Sequence, residues 1–185
     1  MHMLLAPLAA VLAAALAAGA GPAPPPPAHR VAGVPLADPS RDHCGPAALA
    51  AVLQYHGESV RPADIARDIH LSAYRGAINL DLLLWARQRG FTARAEAGSE
   101  EQLRAVLARD LPVICMVRAR GALADRNHFV VLRGYDEVAA LWYVDAGRGR
   151  EEAVPAARFG RDWAECGRWM LIVEGRAAHP ERGPR

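Results

Sequence analysis

Three residues in this sequence have types and spacing suited to covalent catalysis. Cys44 lies in Asp42-His43-Cys44-Gly45-Pro46-Ala47-Ala48, at the first turn of a predicted helix. A helix N-terminus presents unpaired N–H groups and a partial positive charge, and both favour a thiolate. Gly45 is expected to leave room above the sulfur for a substrate backbone. Pro46 suits a first turn, where its missing N–H is not needed. A cysteine nucleophile needs a base, and the base needs an orienting group. His128 opens the apolar run Asn127-His128-Phe129-Val130-Val131-Leu132, directly after a polar loop. The next β-rich run ends in Tyr143-Val144-Asp145, and a turn near residues 134–139 folds the two runs into a hairpin. That hairpin returns Asp145 towards His128, so a carboxylate can hold one ring nitrogen while the other faces Cys44.

The remaining cysteines and histidines have plainer readings. Cys115 lies inside Val113-Ile114-Cys115-Met116-Val117, where a thiol behaves as a small hydrophobe. Cys166 sits in a turn-like stretch. In an oxidising compartment three cysteines permit one disulfide, and a Cys115–Cys166 pair would leave Cys44 free. His56 and His70 end helices, where a cation is favoured. No Cys-x-x-Cys, His-x-x-x-His or carboxylate cluster points to a metal site, and no glycine-rich phosphate loop is present, so no cofactor is expected.

The elements that must position these groups follow from periodicity. Leu49, Val52, Leu53 and His56 recur at helical spacing and stop at Gly57. Pro62 opens a short helix to Ile69. Leu80, Leu83, Leu84 and Gln88 mark a third helix ending at Gly90. Ser99-Glu100-Glu101-Gln102 is a capping box that starts a helix burying Leu103, Val106 and Leu107. Beyond Asp110 the pattern turns to short β-rich runs at 112–117, 129–132, 141–144 and 169–173, with a further candidate at 91–96. A short helix at 155–165 would turn Phe159 and Trp163 inward. Helices followed by consecutive strands predict an α+β domain with a largely antiparallel sheet.

The 185 residues suit one domain. Residues 1–20 read as an export signal: an uncharged apolar run followed by Ala18-Gly19-Ala20. Residues 21–30, with four successive prolines, read as an extended tether. The domain is expected over 31–175, and 176–185 as a polar tail. Export to the periplasm or the exterior follows, with membrane proximity if the signal stays attached. Net charge is +2, with 22 basic residues against 20 acidic, which argues against a nucleic-acid binder. Arg118, Arg120 and Arg126 in the loop before His128 form either a solvated loop or a site for an acidic substrate or a C-terminal carboxylate.

The Cys motif at 42–49, His128-Phe129-Val130-Val131-Leu132 and Tyr143-Val144-Asp145 together resemble the papain-like bacteriocin-processing peptidases, the double-glycine leader peptidases often fused to ABC exporters. The resemblance covers about 34–175. It implies a papain-like α+β fold, with the Cys on an N-terminal helix and the His and Asp on the sheet. It implies Cys44 as nucleophile, His128 as base and Asp145 as orienting group. The partner it implies is a peptide or protein substrate. Transporter and ATPase segments are absent from this sequence, so neither ATP binding nor coupled export is carried over. The family places a Gln five or six residues before the Cys to donate to the oxyanion; here Asp38 and Pro39 stand there, and Ser40 or His43 is the candidate second donor. Phytochelatin synthases share a similar start and triad order, but their metal-handling region has no counterpart here. The expected function is an exported cysteine peptidase or amide hydrolase. The alternatives are an acyltransferase with the same triad and a catalytically idle peptide-binding domain.

Overall fold

The computed structural model describes residues 24–37, 43–69, 79–121 and 124–176. The expected signal at 1–20 and tail beyond 176 lie outside those residues. Among the described residues the order is β1 (Ala28–Arg30), α1 (Cys44–Tyr55), α2 (Pro62–Ile69), α3 (Asn79–Gln88), β2 (Phe91–Ala97), α4 (Glu100–Leu107), β3 (Val113–Ala119), β4 (Arg126–Asp136), β5 (Leu141–Asp145), β6 (Glu151–Pro155), α5 (Ala156–Ala164) and β7 (Trp169–Arg176). The fold is α+β, as the sequence pattern requires. The strands pair in the order β2-β7-β3-β4-β5-β6, and every pairing is antiparallel.

Helix α1 is buried on nearly all sides, from Gly45 to Leu53. Ala47, Ala48, Ala50 and Ala51 keep it thin, while Leu49, Val52 and Leu53 supply bulk. An all-round apolar helix must be wrapped by other elements. It packs on β3, β4 and β7 and is flanked by α2 and α3. Pro62 does open α2, and the capping box at Ser99 is formed, with Ser99 Oγ accepting from the Gln102 N–H at 3.1 Å. At the other end of the sheet Tyr135, Trp142, Phe159 and Trp163 form a chain of rings with centroids 5.5–5.9 Å apart. These rings lock α5 to the β4–β5 hairpin, and Phe159 and Trp163 face inward as expected.

Three features depart from the simplest reading of the sequence. In α3 the buried residues are Leu82, Leu83, Trp85 and Ala86, while Leu80 and Leu84 are exposed. The helix is rotated because Trp85 is inserted against α2, its Nε1–H donating to Asp68 at 3.0 Å. The three cysteines are free thiols, so Cys115 and Cys166 are not joined. The end of the proline-rich segment is not a free spacer. Tyr135 donates its hydroxyl to the Pro26 carbonyl at 2.8 Å, and β1 pairs with residues 134–136 of β4. β3 occupies β4 from Arg126 to Leu132, so β1 continues the same edge where β3 begins. Strand β6, half-exposed and carrying Glu151 and Glu152, was not foreseen; it forms a charged outer edge, which discourages further pairing.

Gly134 makes the docking of β1 possible. A Cβ there would collide with the His29 carbonyl and sit 3.1 Å from the Arg30 Cα. Gly134→Val is expected to detach β1. Hydrogen exchange would then lose protection at 28–31, and stability would fall by about 1–3 kcal/mol. Unchanged protection there would contradict this account of the glycine.

Candidate active site

Cys44 is the first residue of α1, and His43 caps the helix through its backbone, its carbonyl accepting from the Ala47 N–H at 2.8 Å. No acidic residue lies in the first turn to oppose an anion. The helix end abuts the start of β4. A Cβ on Gly45 would lie 3.1 and 3.3 Å from the Phe129 ring and 3.4 Å from Leu82. The space beside Gly45 is therefore filled by core side chains, and its role is to let α1 approach β4. This corrects the expectation that it opens room for substrate. The Phe129 ring is held in turn by Trp169, edge to face at 5.6 Å.

That close approach brings Cys44 and His128 together. His128 Nε2–H donates to the Ala146 carbonyl at 2.9 Å, which fixes the tautomer and leaves Nδ1 for the thiol. Nδ1 is buried and makes no formed hydrogen bond, so the resting Cys44–His128 contact is loose, as is common in unliganded sites. The electrostatics are nevertheless those of a pair. Burial pushes the Cys44 thiol up, but the His128 side chain, the Phe129 N–H, the imidazolium charge and the Gly45 N–H outweigh it, and its pKa is lowered. Burial pushes His128 down, but Cys44 and the Ala146 carbonyl outweigh it, and its pKa is raised. The two groups are coupled, and each favours the charged form of the other. Cys115 differs: full burial without a partner drives its pKa far above the thiol range.

Asp145 is 1% exposed and close to this pair, but its carboxylate is committed elsewhere. Oδ2 accepts from the Ala37 N–H at 2.6 Å, and Oδ1 from the Gly147 N–H at 2.8 Å. The imidazole is held by the carbonyl of the neighbouring residue, not by the carboxylate. Asp145 thus braces the two backbone segments that flank the histidine. A bulge between Leu132 and Gly134 sets this register, placing Asp145 opposite Val131. Sequence reasoning missed Ala146, because a backbone acceptor leaves no mark in residue type. Asp38 and Ser40, the expected oxyanion region, lie outside the described residues. His70 does too. His56 Nε2–H donates to the Val173 carbonyl at 2.9 Å, away from this pair. Among the described residues no group of three or more His, Cys, Asp or Glu could hold a metal ion.

The model of the peptidase C39 family matches residues 36–176. The chain belongs to that family. No curated protein matches this chain. Among solved structures it resembles a C39-like peptidase of Bacillus anthracis at TM-score 0.64 and 19% identity, covering 81% of this chain and 98% of the other. It also resembles a double glycine motif protease from an AMS/PCAT transporter, solved with its leader peptide, at TM-score 0.60 and 25% identity, covering 78% and 93%. Xylellain, a cysteine protease of Xylella fastidiosa, aligns at TM-score 0.61 and 13% identity, covering 83% and 87%. The C39 match spans every described helix and strand except β1, including those that carry Cys44 and His128. This C39-family domain therefore has the cysteine-peptidase fold, with its cysteine on the N-terminal helix.

Because Asp145 closes two backbone amides, its isostere should be damaging. Asp145→Asn turns one acceptor into a donor facing an N–H, which costs about 1–3 kcal/mol. Thermal unfolding should show that loss, together with slower alkylation of Cys44. Unchanged stability and reactivity would contradict the bracing role.

Proposed function

We propose that the protein is a cysteine peptidase or amide hydrolase acting on a peptide or protein substrate. The observation that carries this reading is the His128 ring, oriented by the Ala146 carbonyl, beside a Cys44 thiol at a helix N-terminus whose pKa it lowers. In the proposed cycle the Cys44 thiolate attacks the scissile carbonyl carbon, and the carbonyl oxygen becomes an oxyanion. The Cys44 backbone N–H, at the start of α1, is a donor to that oxyanion. His128 then passes its Nδ1 proton to the leaving amine, the C–N bond breaks, and a thioester remains on Cys44. Neutral His128 takes a proton from water, hydroxide adds to the thioester, and the acid leaves. Ala146 keeps the ring oriented throughout, and Asp145 keeps Ala146's neighbour Gly147 in place.

The family match supports this reading, and so does the similar double glycine motif protease, which was solved with its leader peptide. Cleavage of a double-glycine leader is the activity the sequence resemblance implies. The proposal for this chain is the broader one, cleavage of a peptide bond. Export guided by residues 1–20 belongs to the same proposal; among the described residues no helix is long and apolar enough to cross a membrane.

The test is a defined pool of synthetic peptides incubated with the wild type and with Cys44→Ala, and read by mass spectrometry. Wild type should release fragments, and an acid quench should trap an acyl group on Cys44. The alanine variant should release none. Turnover by Cys44→Ala at the wild-type rate, or neither fragments nor adduct in the wild type, would contradict the proposal.

A further inference from the structure

The three arginines expected in one loop before His128 are placed differently: Arg118 is in β3, Arg120 in the connection and Arg126 at the start of β4. Arg118 Nε lies 3.8 Å from Glu165. Arg120 binds Asp125 at 2.7 Å, pairs with Glu165 and lies 3.9 Å from Asp162. These two close the loop onto α5 and have their carboxylates already. Arg126 differs. It is exposed at the first position of β4, its cross-strand neighbour is Ala119, and it has no ion pair among the described residues.

Its position relative to the reacting groups is informative. Arg126 and His128 are two residues apart on one strand, so both side chains leave the same side, with Cα atoms about 7 Å apart. In the proposed cycle the leaving amine must approach His128 Nδ1. The residues after the scissile bond therefore pass over the start of β4, where Arg126 stands. A guanidinium there is near enough to His128 to oppose its protonation slightly. A carboxylate on the departing segment would neutralise that charge and relieve the opposition. The planar fork of an arginine also matches a carboxylate in two hydrogen bonds.

We propose that Arg126 anchors a carboxylate on the leaving-group side of the scissile bond. The carboxylate comes either from an acidic side chain or from the free C-terminus of the peptide. This rests on the reading of Cys44 and His128 as nucleophile and proton donor. It makes Arg126 a specificity-determining residue, and it leaves Arg118 and Arg120 as structural residues.

The first probe is a pair of alkylating agents of equal reach, iodoacetate and iodoacetamide, applied to the full chain with labelling of Cys44 read by peptide mass. The ratio of the two rates reports attraction of a carboxylate to the site. Arg126→Gln should lower that ratio about three-fold or more, given two unit charges 6–7 Å apart near water. Arg126→Lys should keep most of the ratio, and Arg118→Gln should keep it all. A wild-type ratio in Arg126→Gln, or an equal fall in Arg118→Gln, would overturn the proposal. If Cys44 reacts with neither agent, the peptidase reading fails and takes this proposal with it. The two sources are then separated with cleaved peptides. A Glu-to-Gln change after the scissile bond, or amidation of the C-terminus, should slow wild-type cleavage and leave Arg126→Gln indifferent. The change that does so identifies the carboxylate; no effect from either would overturn the anchor.

Discussion

The contact between the N-terminus of α1 and the first residues of β4 is the constraint on which the rest of the structure depends. A thiol buried without compensation becomes harder to ionise, as at Cys115 on β3. Cys44 is partly buried, yet its pKa moves the other way. The difference is made by what lies within reach: an imidazole, two backbone N–H groups and a helix end free of acidic residues. None of these acts over a long distance. The helix must therefore sit close to the strand, which requires Gly45 against Phe129, Trp169 behind Phe129 and small residues along α1. Core packing and thiol chemistry here are consequences of the same approach.

A second set of contacts secures the histidine from behind. The chain before α1 runs along β4 as β1, passes Val31, whose N–H donates to the Arg133 carbonyl at 2.8 Å, and reaches Ala37. There the Asp145 carboxylate takes the Ala37 N–H and, with its other oxygen, the Gly147 N–H. One buried anion so joins the segment leading to the nucleophile and the turn that supplies the Ala146 carbonyl to His128. Two backbone donors satisfy the charge, which is what allows a carboxylate to be almost fully buried. In this arrangement orientation of the imidazole is a property of the backbone, and the acid acts through it.

The sequence made the chemistry-bearing residues visible because local rules place them. A Cys-Gly-Pro run before an apolar helical stripe, and a histidine at the mouth of a strand, need no tertiary information. The capping box at Ser99 and the inward Phe159 and Trp163 were legible for the same reason. What escaped depends on contacts between distant segments. β1 is three residues of ordinary type, and it is a strand only because Gly134 admits it. The inward face of α3 was set by Trp85 reaching Asp68, not by the leucine spacing. The bulge after Leu132 decided which group meets His128, and bulges leave a weak trace in residue type.

The central claim is that His128 lowers the pKa of the Cys44 thiol in the resting protein. The most direct test is the pH dependence of Cys44 alkylation in the folded chain, in the wild type and in His128→Ala. A lowered thiol pKa and a raised imidazole pKa predict a reactive form that appears below the ordinary thiol range. It should then hold on a plateau at higher pH, because loss of the His128 proton leaves the thiolate in place. Removing the imidazole should move the onset of reactivity upward, since burial would then be opposed only by the Phe129 and Gly45 N–H groups. A wild-type onset near the free-thiol value of about 8.5, unmoved in His128→Ala, would contradict the account.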